Sequence, residues 1–494
     1  MNDSAQALGE EASKEILPKS TIAATRERGE FFLYLGFSLL LAYHYVLWFV
    51  DDSFFHTQLL DSAITNGWLG SLTATSLTMA LVGFIRPGKR HLSDAKTLVY
   101  AVPVLTALSA LALGFSSQIE FMQNHVAFII IACVNGMFEA LFLLLWGELL
   151  IRKGLQLALR NFGITFGATL IVAMLVAFVL PEEITPFFAP LVAIASGIKL
   201  MRVQNETDAS YPQLLPKKAR KRSLTTILGI GGIALVTGLA CYFLTAIAPV
   251  DHLAFGSISF SIGVACAGLF LVGVSLIVHL TTKKQSVPKL FPWLIVGSIL
   301  ALCLYVADGG LETLSFLIAL SVATMLEAFL IMYFSLLTHR GFFPPATSFA
   351  ITFGSVRIGI VIGNIIALAF EDSPHIMSTF GTEASLLMIF ILAALLIPIT
   401  RKETVIIELT SAPAAPNETE EICRLISEEF RLSEREHEVL RLLARGNSAN
   451  GIATKLVISP HTVNTHIRHI YDKVGIHKRS ELIDYINMRR TDNH

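Results

Sequence analysis

Charge is scarce in this chain: Asp, Glu, Lys and Arg together make up 15% of its 494 residues, against about 25% in a typical soluble domain. That leaves too little polar surface to keep most of the chain in water. Cysteine is scarcer still. Four of the five, Cys133, Cys241, Cys266 and Cys303, fall inside apolar runs and Cys423 stands near the C-terminus, with no C-x-x-C pair and no metal-ligand spacing. Neither a disulfide framework nor a metal site is expected. The chain also lacks a P-loop, an H-E-x-x-H and a G-x-S-x-G, and Gly229-Ile230-Gly231 sits in an apolar run without the later glycine of a dinucleotide fingerprint. No cofactor and no enzymatic constellation are expected. Residues 1–30 are polar and of mixed charge, without the basic start, short apolar stretch and small-residue cleavage site of a signal peptide. An uncleaved, cytosolic N-terminal segment is expected.

Apolar residues are what the chain has in abundance, 53% of the total with 33 Phe. Runs long enough to cross about 30 Å of hydrocarbon occur near 31–50, 66–85, 97–115, 126–150, 160–180, 186–201, 224–247, 256–280, 290–307, 311–337, 347–370 and 380–399. Twelve spans place both termini on one side of a lipid bilayer. The even-numbered gaps hold Arg86, Lys89, Arg90 and Lys96; Arg152 and Lys153; Lys217, Lys218, Arg220, Lys221 and Arg222; Lys283, Lys284 and Lys289; and Arg340. The odd-numbered gaps hold no Lys or Arg. The positive-inside rule then puts the N-terminus, the central loop and the C-terminal tail in the cytoplasm, with the spans in the cytoplasmic membrane.

The halves of this region read as copies. Residues 137–141 (MFEAL) answer 325–329 (MLEAF), and 161–167 (NFGITFG) answer 348–354 (SFAITFG) at nearly the same offset. The agreement in offset, span number and direction points to a parallel six-plus-six duplication, 31–201 and 224–399, joined by the basic loop 202–223. In its spans, halves and central loop the chain resembles the major facilitator superfamily. Arg86-Pro87-Gly88-Lys89-Arg90 looks like the end of that family's basic signature between spans two and three. Ile85 stands where the signature has an acidic residue, and active transport is in doubt for that reason.

Three ionisable residues interrupt the spans. Glu139, Glu327 and Arg357 each lie roughly 15 Å from the cytoplasmic ends of their runs at 1.5 Å per residue, near the bilayer centre. A charge facing lipid there costs at least about 2.5 to 3.5 kcal/mol, so all three must face the bundle interior. Three readings stand side by side. Arg357 holds an anionic group of a small ligand, carboxylate-bearing or aromatic, while Glu139 and Glu327 orient its polar groups; or Arg357 and a glutamate form a structural pair; or the group relays protons. Asn135, one turn from Glu139, and Asn364, two turns from Arg357, are placed to face the same cavity or to bind helices together. The superfamily resemblance implies that spans four, ten and eleven line a central cavity. Ser355, Gly359 and Gly363 read as a packing stripe.

After Thr400 the composition turns polar. A Pro/Ala linker at 411–416 and a lead-in helix at 418–430 precede a four-helix pattern in 433–488. Ser433 and Glu436 form an S-x-x-E capping box, with Val439, Leu440 and Leu443 inward and a stop near Gly446. Ser448 caps a short second helix that buries Ile452, Ala453 and Leu456. Ser459-Pro460 opens the third helix and Gly475 ends it. Val463, Ile467, Ile470 and Val474 line the inner face of that third helix, and His461, Asn464, Thr465, Arg468 and Asp472 the other. Such a helix suits the major groove of DNA.

The stretch LSEREHEVLRLLARGNSANGIATKLVISPHTVNTHIRHIYDKVGIHKRSELI closely resembles the LuxR-type helix-turn-helix family, including Arg435-Glu436, Leu440, Gly446, Ile452-Ala453, Ser459, Thr462-Val463, His466, Lys473 and Arg479. Gly451 replaces the usual Glu. The resemblance implies base contacts by Asn464, Thr465 and Arg468. His461, Thr462, Lys455 and Lys473 are phosphate contacts or solvated surface. His466 and His469 are structural or peripheral, and Arg479 braces the fold or touches DNA. Residues 433–490 carry ten Lys and Arg against six Asp and Glu, a modest basic excess that suits nucleic acid.

The expected architecture is all-α: a twelve-helix membrane bundle resembling the major facilitator superfamily, a linker and lead-in helix over 400–432, and a four-helix LuxR-type domain over 433–490. The expected function is a membrane-embedded, one-component transcriptional regulator that senses a small molecule in the transmembrane cavity and binds promoter DNA as a homodimer. The alternative is a transporter with a fused regulatory domain; a third reading makes the spans an anchor and brings the signal through a protein partner.

Overall fold

A computed structural model describes the chain from residue 19 to 489, outside 50–65, 86–90, 206–210, 248–252, 281–289, 370–373, 411–415 and scattered single or paired positions. The basic signature at Arg86 to Arg90, most of the Pro/Ala linker, Gly446, Ser448 and Arg479 lie outside the described residues. The described secondary structure is helical and divides into two compact units, Met1–Thr410 and Ser411–His494.

Among the described residues the first unit has twelve long helices: α1 Lys19–Phe49, α2 Asn66–Ile85, α3 Lys96–Gly114, α4 His125–Arg152, α5 Ile164–Val179, α6 Thr185–Asn205, α7 Lys217–Ile247, α8 Ile258–Leu280, α9 Phe291–Ala307, α10 Glu312–His339, α11 Pro345–Leu368 and α12 Pro374–Thr410. Eleven of them, with α5 taken together with the helical turn before it as Asn161–Val179, are long and apolar enough to cross a membrane, and α9, at 17 residues, is a shorter apolar helix in the expected place of the ninth span. Apolar sequence forces this choice, because in lipid every backbone N–H and C=O has to be satisfied within the segment. Three helices outrun their apolar runs. α1 begins at Lys19, α7 takes in the basic residues 217–222, and α12 continues to Thr410. Lys, Arg and Ala fill 217–222 and are good helix formers in water.

The packing repeats every six helices. α1 packs on α5 and α6, α2 on α4, and α3 on α4 and α6; α7 packs on α11 and α12, α8 on α10, and α9 on α10 and α12. The two seams between the halves correspond as well, α2 against α11 and α5 against α8. Small residues make both seams close. A Cβ added to Gly167 of α5 meets the carbonyl oxygen of Gly268 of α8 at 2.6 Å, and one added to Gly83 of α2 meets the Cβ of Ala350 of α11 at 2.3 Å. Gly167 ends the first copy of the duplicated motif and Ala350 lies within the second, so the repeated sequence forms the equivalent seam in each half. Gly359 and Gly363 do the same work inside the second half, facing backbone atoms of Leu235 and Leu239 on α7. Small residues that admit close backbone approach are the usual means of packing helices where lipid removes the hydrophobic drive.

The second unit has its own core. α13 Pro416–Glu429, α14 Glu434–Ala444, α15 Ala449–Leu456 and α16 Pro460–Val474 bury Ile422, Cys423 and Ile426 with Val439, Leu440, Leu443, Ile452, Ala453, Val463, Ile470, Val474, Leu482 and Ile486. The lead-in helix α13 is therefore part of this core.

Candidate functional site

At the middle of the membrane unit, α4, α10 and α11 bring Glu139, Glu327 and Arg357 together with exposures of 1%, 8% and 3%. Arg357 Nη2 donates to Glu139 Oε1 at 2.7 Å and lies 3.8 Å from Glu327 Oε1. The short bond crosses from the second repeat to the first; the long contact stays within the second. Two residues of α1 complete the group. Tyr45 donates its hydroxyl to Glu327 Oε2 at 3.0 Å, and His44 Nδ1 lies 3.3 Å from Glu139. Arg357 also sits over the Phe353 ring at 5.4 Å. Its Nη1 is buried without a hydrogen-bond partner. A buried guanidinium N–H with no acceptor is costly, and it leaves one arm of a planar fork open to an acceptor oxygen.

Asn135 and Asn364 are both buried but stand apart from these charges in their bonding. Asn135 Nδ2 donates to the Tyr43 hydroxyl at 2.6 Å and to Ser109 Oγ at 2.9 Å, linking α4 to α1 and α3. Asn364 Nδ2 donates to the Ile360 carbonyl one turn back on its own helix, 2.7 Å away. His44 and Tyr45 were not singled out from the sequence. Their signal was there, a Tyr-His-Tyr triplet at 43–45 in the middle of an apolar run.

Aromatic rings pack on either side of the charged centre along α1. Toward the end where α1 finishes and α8 begins, Phe49 stacks on Phe260 at 5.1 Å, Trp68 lies on Phe49 at 5.8 Å, and Tyr242 meets Trp68 at 5.8 Å. Toward the end where α1 begins, Phe37 meets Phe349 at 6.5 Å, Trp146 at 6.2 Å and Phe162 at 5.8 Å. Each layer joins residues of both repeats.

In the second unit, α16 opens on Ser459, whose side chain accepts from the Thr462 amide at 3.0 Å, with Pro460 in the first turn; it ends on Gly475 at φ 75°. A left-handed C-terminal residue favours glycine. His461, Thr462, Asn464, Thr465 and Arg468 are all exposed on this helix, and Val463, Ile470 and Val474 are buried. Thr465 Oγ1 donates to the His461 carbonyl at 3.1 Å. The side chain of Lys455 lies outside the described residues.

Lys473 is already engaged. Its Nζ donates to Glu436 Oε2 at 2.7 Å and lies 3.4 Å from the Arg431 carbonyl. Glu436 in turn accepts from the Ser433 amide at 2.7 Å, and Ser433 Oγ accepts from the Glu436 amide at 3.3 Å. The capping box and α16 are thus one network. Burial alone would raise the Glu436 carboxyl, but Lys473 and the Ser433 amide together hold it below its ordinary value. His469, 3.7 Å from Glu436, flanks the same group.

Residues 431–486 match the family of bacterial regulatory proteins, luxR family. The C-terminal unit is a LuxR-type helix-turn-helix domain. In this domain the chain is 47% identical over 57 residues to the Fimbriae Z protein of Escherichia coli (strain K12), covering 12% of this chain and 27% of that protein. It is 48% identical over 54 residues to the Fimbriae Z protein of Salmonella typhimurium, covering 11% and 26%. The chain spans about a quarter of the length of these relatives, and the likeness is confined to the LuxR-type domain. The membrane unit is similar to solved transporters at low identity. The human organic anion transporter MFSD10 aligns at 13% identity and TM-score 0.47, covering 74% of this chain and 99% of that one. The nucleoside transporter NupG aligns at 15% and 0.45, covering 76% and 98%.

Proposed function

We propose that this chain is a one-component transcription regulator embedded in the cytoplasmic membrane, in which a small molecule bound at the Arg357 centre changes promoter binding by the LuxR-type domain. The observation that carries the reading is the Arg357–Glu139 bond, buried at the core and crossing the two repeats, in the same chain as a DNA-binding domain. A ligand that supplies an acceptor oxygen to Arg357 competes with Glu139 and also finds the open Nη1. Glu139 is then left to His44, already 3.3 Å away. Exchange of one inter-repeat bond for ligand contacts changes the relative free energy of two arrangements of the repeats, and the ligand's differential affinity for them sets the size of the response.

Lys and Arg gather in the even-numbered connections, which supports placing them, both termini and the LuxR-type domain in the cytoplasm. There the exposed face of α16, with Asn464, Thr465 and Arg468 toward base edges and His461 and Thr462 toward phosphates, enters the major groove. Two copies on two half-sites make the active species a homodimer on DNA.

The test is transcription from the adjacent promoter across a panel of aromatic and carboxylate-bearing compounds, in the wild type, Arg357→Ala and Arg468→Ala. An inducing compound whose effective concentration rises in Arg357→Ala at equal membrane abundance, with output lost in Arg468→Ala, upholds the reading. Output that depends on Arg468 but on no compound and not on Arg357 removes the charged centre as the sensor.

A further inference from the structure

The connection between the two repeats is tied down at both of them. Tyr211, in this connection, stacks on the His91 ring with centroids 3.4 Å apart and planes at 18°, and its hydroxyl lies 2.6 Å from Ser93 Oγ. The receiving pocket belongs to the first repeat. The Ser93 amide donates to Glu148 Oε2 of α4 at 2.9 Å, His91 Nδ1 lies 3.7 Å from Glu148 Oε1, and Arg152 reaches both Asp94 at 3.3 Å and the Tyr211 ring at 5.7 Å. Gln204 Nε2, in the last turn of α6, closes the pocket by donating to the Ser93 carbonyl at 2.7 Å. Four residues later the Leu215 amide donates to the Gly341 carbonyl at 2.9 Å. Gly341, at φ 72°, forms the turn between α10 and α11 in the second repeat.

Chain length turns these contacts into a constraint. Four residues extend at most roughly 14 Å at about 3.3 to 3.6 Å each. While Tyr211 and Leu215 both stay docked, the α2–α3 connection of one repeat and the α10–α11 turn of the other are held within that reach. The sequence favours extended backbone at both docked residues: Tyr211 precedes Pro212 and Leu215 precedes Pro216, and the residue before a proline is driven from helix to extended backbone. Tyr211 and Leu215 also pack against the apolar core of the unit.

We propose that residues 211–215 are a clasp that holds the repeats together on the face of the even-numbered connections, and that Tyr211 leaves the His91–Ser93–Glu148–Arg152 pocket when that face opens. The inference concerns the membrane unit and holds whatever ligand the unit takes. Tyr211 is the releasable end: its described contacts are a ring stack and side-chain hydrogen bonding, whereas Leu215 is held through its backbone amide.

The experiment measures the distance between spin labels on Thr97→Cys of α3 and Leu280→Cys of α8, both exposed, in the full chain with its native cysteines replaced. The parent with both labels is compared with Tyr211→Ala, with Tyr211→Phe, and with a chain lengthened by six Gly and Ser residues after Pro212. The expected result is a second, longer-distance population in Tyr211→Ala and in the lengthened chain, and less of it in Tyr211→Phe, which keeps the ring stack. The lengthened chain keeps both docking contacts, so it separates a tether from a packing residue. A distribution that stays at the parent's in both Tyr211→Ala and the lengthened chain overturns the clasp. A shift in Tyr211→Ala alone also overturns it and leaves Tyr211 a packing residue.

Discussion

Arg357 of α11 and Glu139 of α4, bonded at 2.7 Å, join the second repeat to the first at a point where both side chains are nearly fully buried. Glu327, on the same repeat as Arg357, waits at 3.8 Å. The guanidinium is thus shared unequally between a partner across the seam and one beside it.

Removing one member of this group leaves uncompensated charge. Arg357→Ala is expected to destabilise the membrane unit by about 3 to 5 kcal/mol, the usual effect of breaking a buried pair. Arg357→Ala with Glu139→Ala should cost less than the sum of the two single changes. Chemical denaturation of the four chains in detergent, followed by Trp fluorescence, measures the coupling; strict additivity would show that the bond contributes nothing.

Seam glycines should separate into tolerant and intolerant positions. Gly167→Ala drives a Cβ into the Gly268 carbonyl oxygen at 2.6 Å, whereas a Cβ on Gly232 meets nothing within 4 Å. Overpacking typically costs about 1 to 3 kcal/mol, so Gly167→Ala should melt at a lower temperature and Gly232→Ala near the parent. Equal melting temperatures would mean that the α5–α8 seam relaxes freely.

The Glu436 network gives the LuxR-type domain an acid limit. Its carboxyl is held below the ordinary value in the fold, so the stabilisation it supplies is complete above the unfolded-state value near 4.5 and is lost as pH falls through the lower folded value. Melting of a fragment covering 411–494, which carries its own core, should show a temperature midpoint that drops in this acid range. Glu436→Gln should flatten that drop and cost about 1 kcal/mol or more near neutral pH, as cap losses do. A midpoint in Glu436→Gln that falls as steeply as the parent's would assign the acid limit to other carboxyls.

DNA binding should distinguish Arg468 from Lys473. Arg468 is exposed on α16, and its change to Ala should cost about 1 to 3 kcal/mol on a specific site and relax base preference. Lys473 spends its ammonium on Glu436 at 2.7 Å, so Lys473→Met should lower the melting temperature and leave the salt dependence of binding nearly unchanged. Anisotropy titrations at several salt concentrations read this directly: a slope reduced by about one for Lys473→Met would make it a phosphate contact.

How far the sequence carried can be judged residue by residue. Twelve apolar runs became twelve described helices because hydrocarbon admits little else, and the equal distance of Glu139, Glu327 and Arg357 along their runs agrees with the structure bringing them together. Helix ends did not follow from hydropathy: 217–222 is helical in α7 because Lys, Arg and Ala propagate a helix that the apolar run has already nucleated, and α12 continues through 400–410 although Thr, Val and Ile make up six of those eleven residues. Tyr45 and His44 escaped because an aromatic residue in a span reads as packing until its neighbours are known. The role of Lys473 was likewise hidden, since its partner Glu436 is 37 residues away along the chain. The capping boundaries at Ser433, Ser459 and Gly475 were legible because they are set by bonds within a few residues.

A stacked ring pair on one side of the charged centre and an edge-on pair on the other would make passage to it, on the proposed function, an activated step. On the proposed function, a compound reaching Arg357 past these layers would part Phe49 from Phe260 or Phe37 from Phe349, each pair spanning the two repeats. Collective motions of packed helices run in microseconds to milliseconds and slower, far behind diffusional encounter. On the proposed function, a receptor built this way would average over brief fluctuations of its ligand and retain an occupant after the surroundings have been depleted, so its output would record sustained exposure and not momentary concentration.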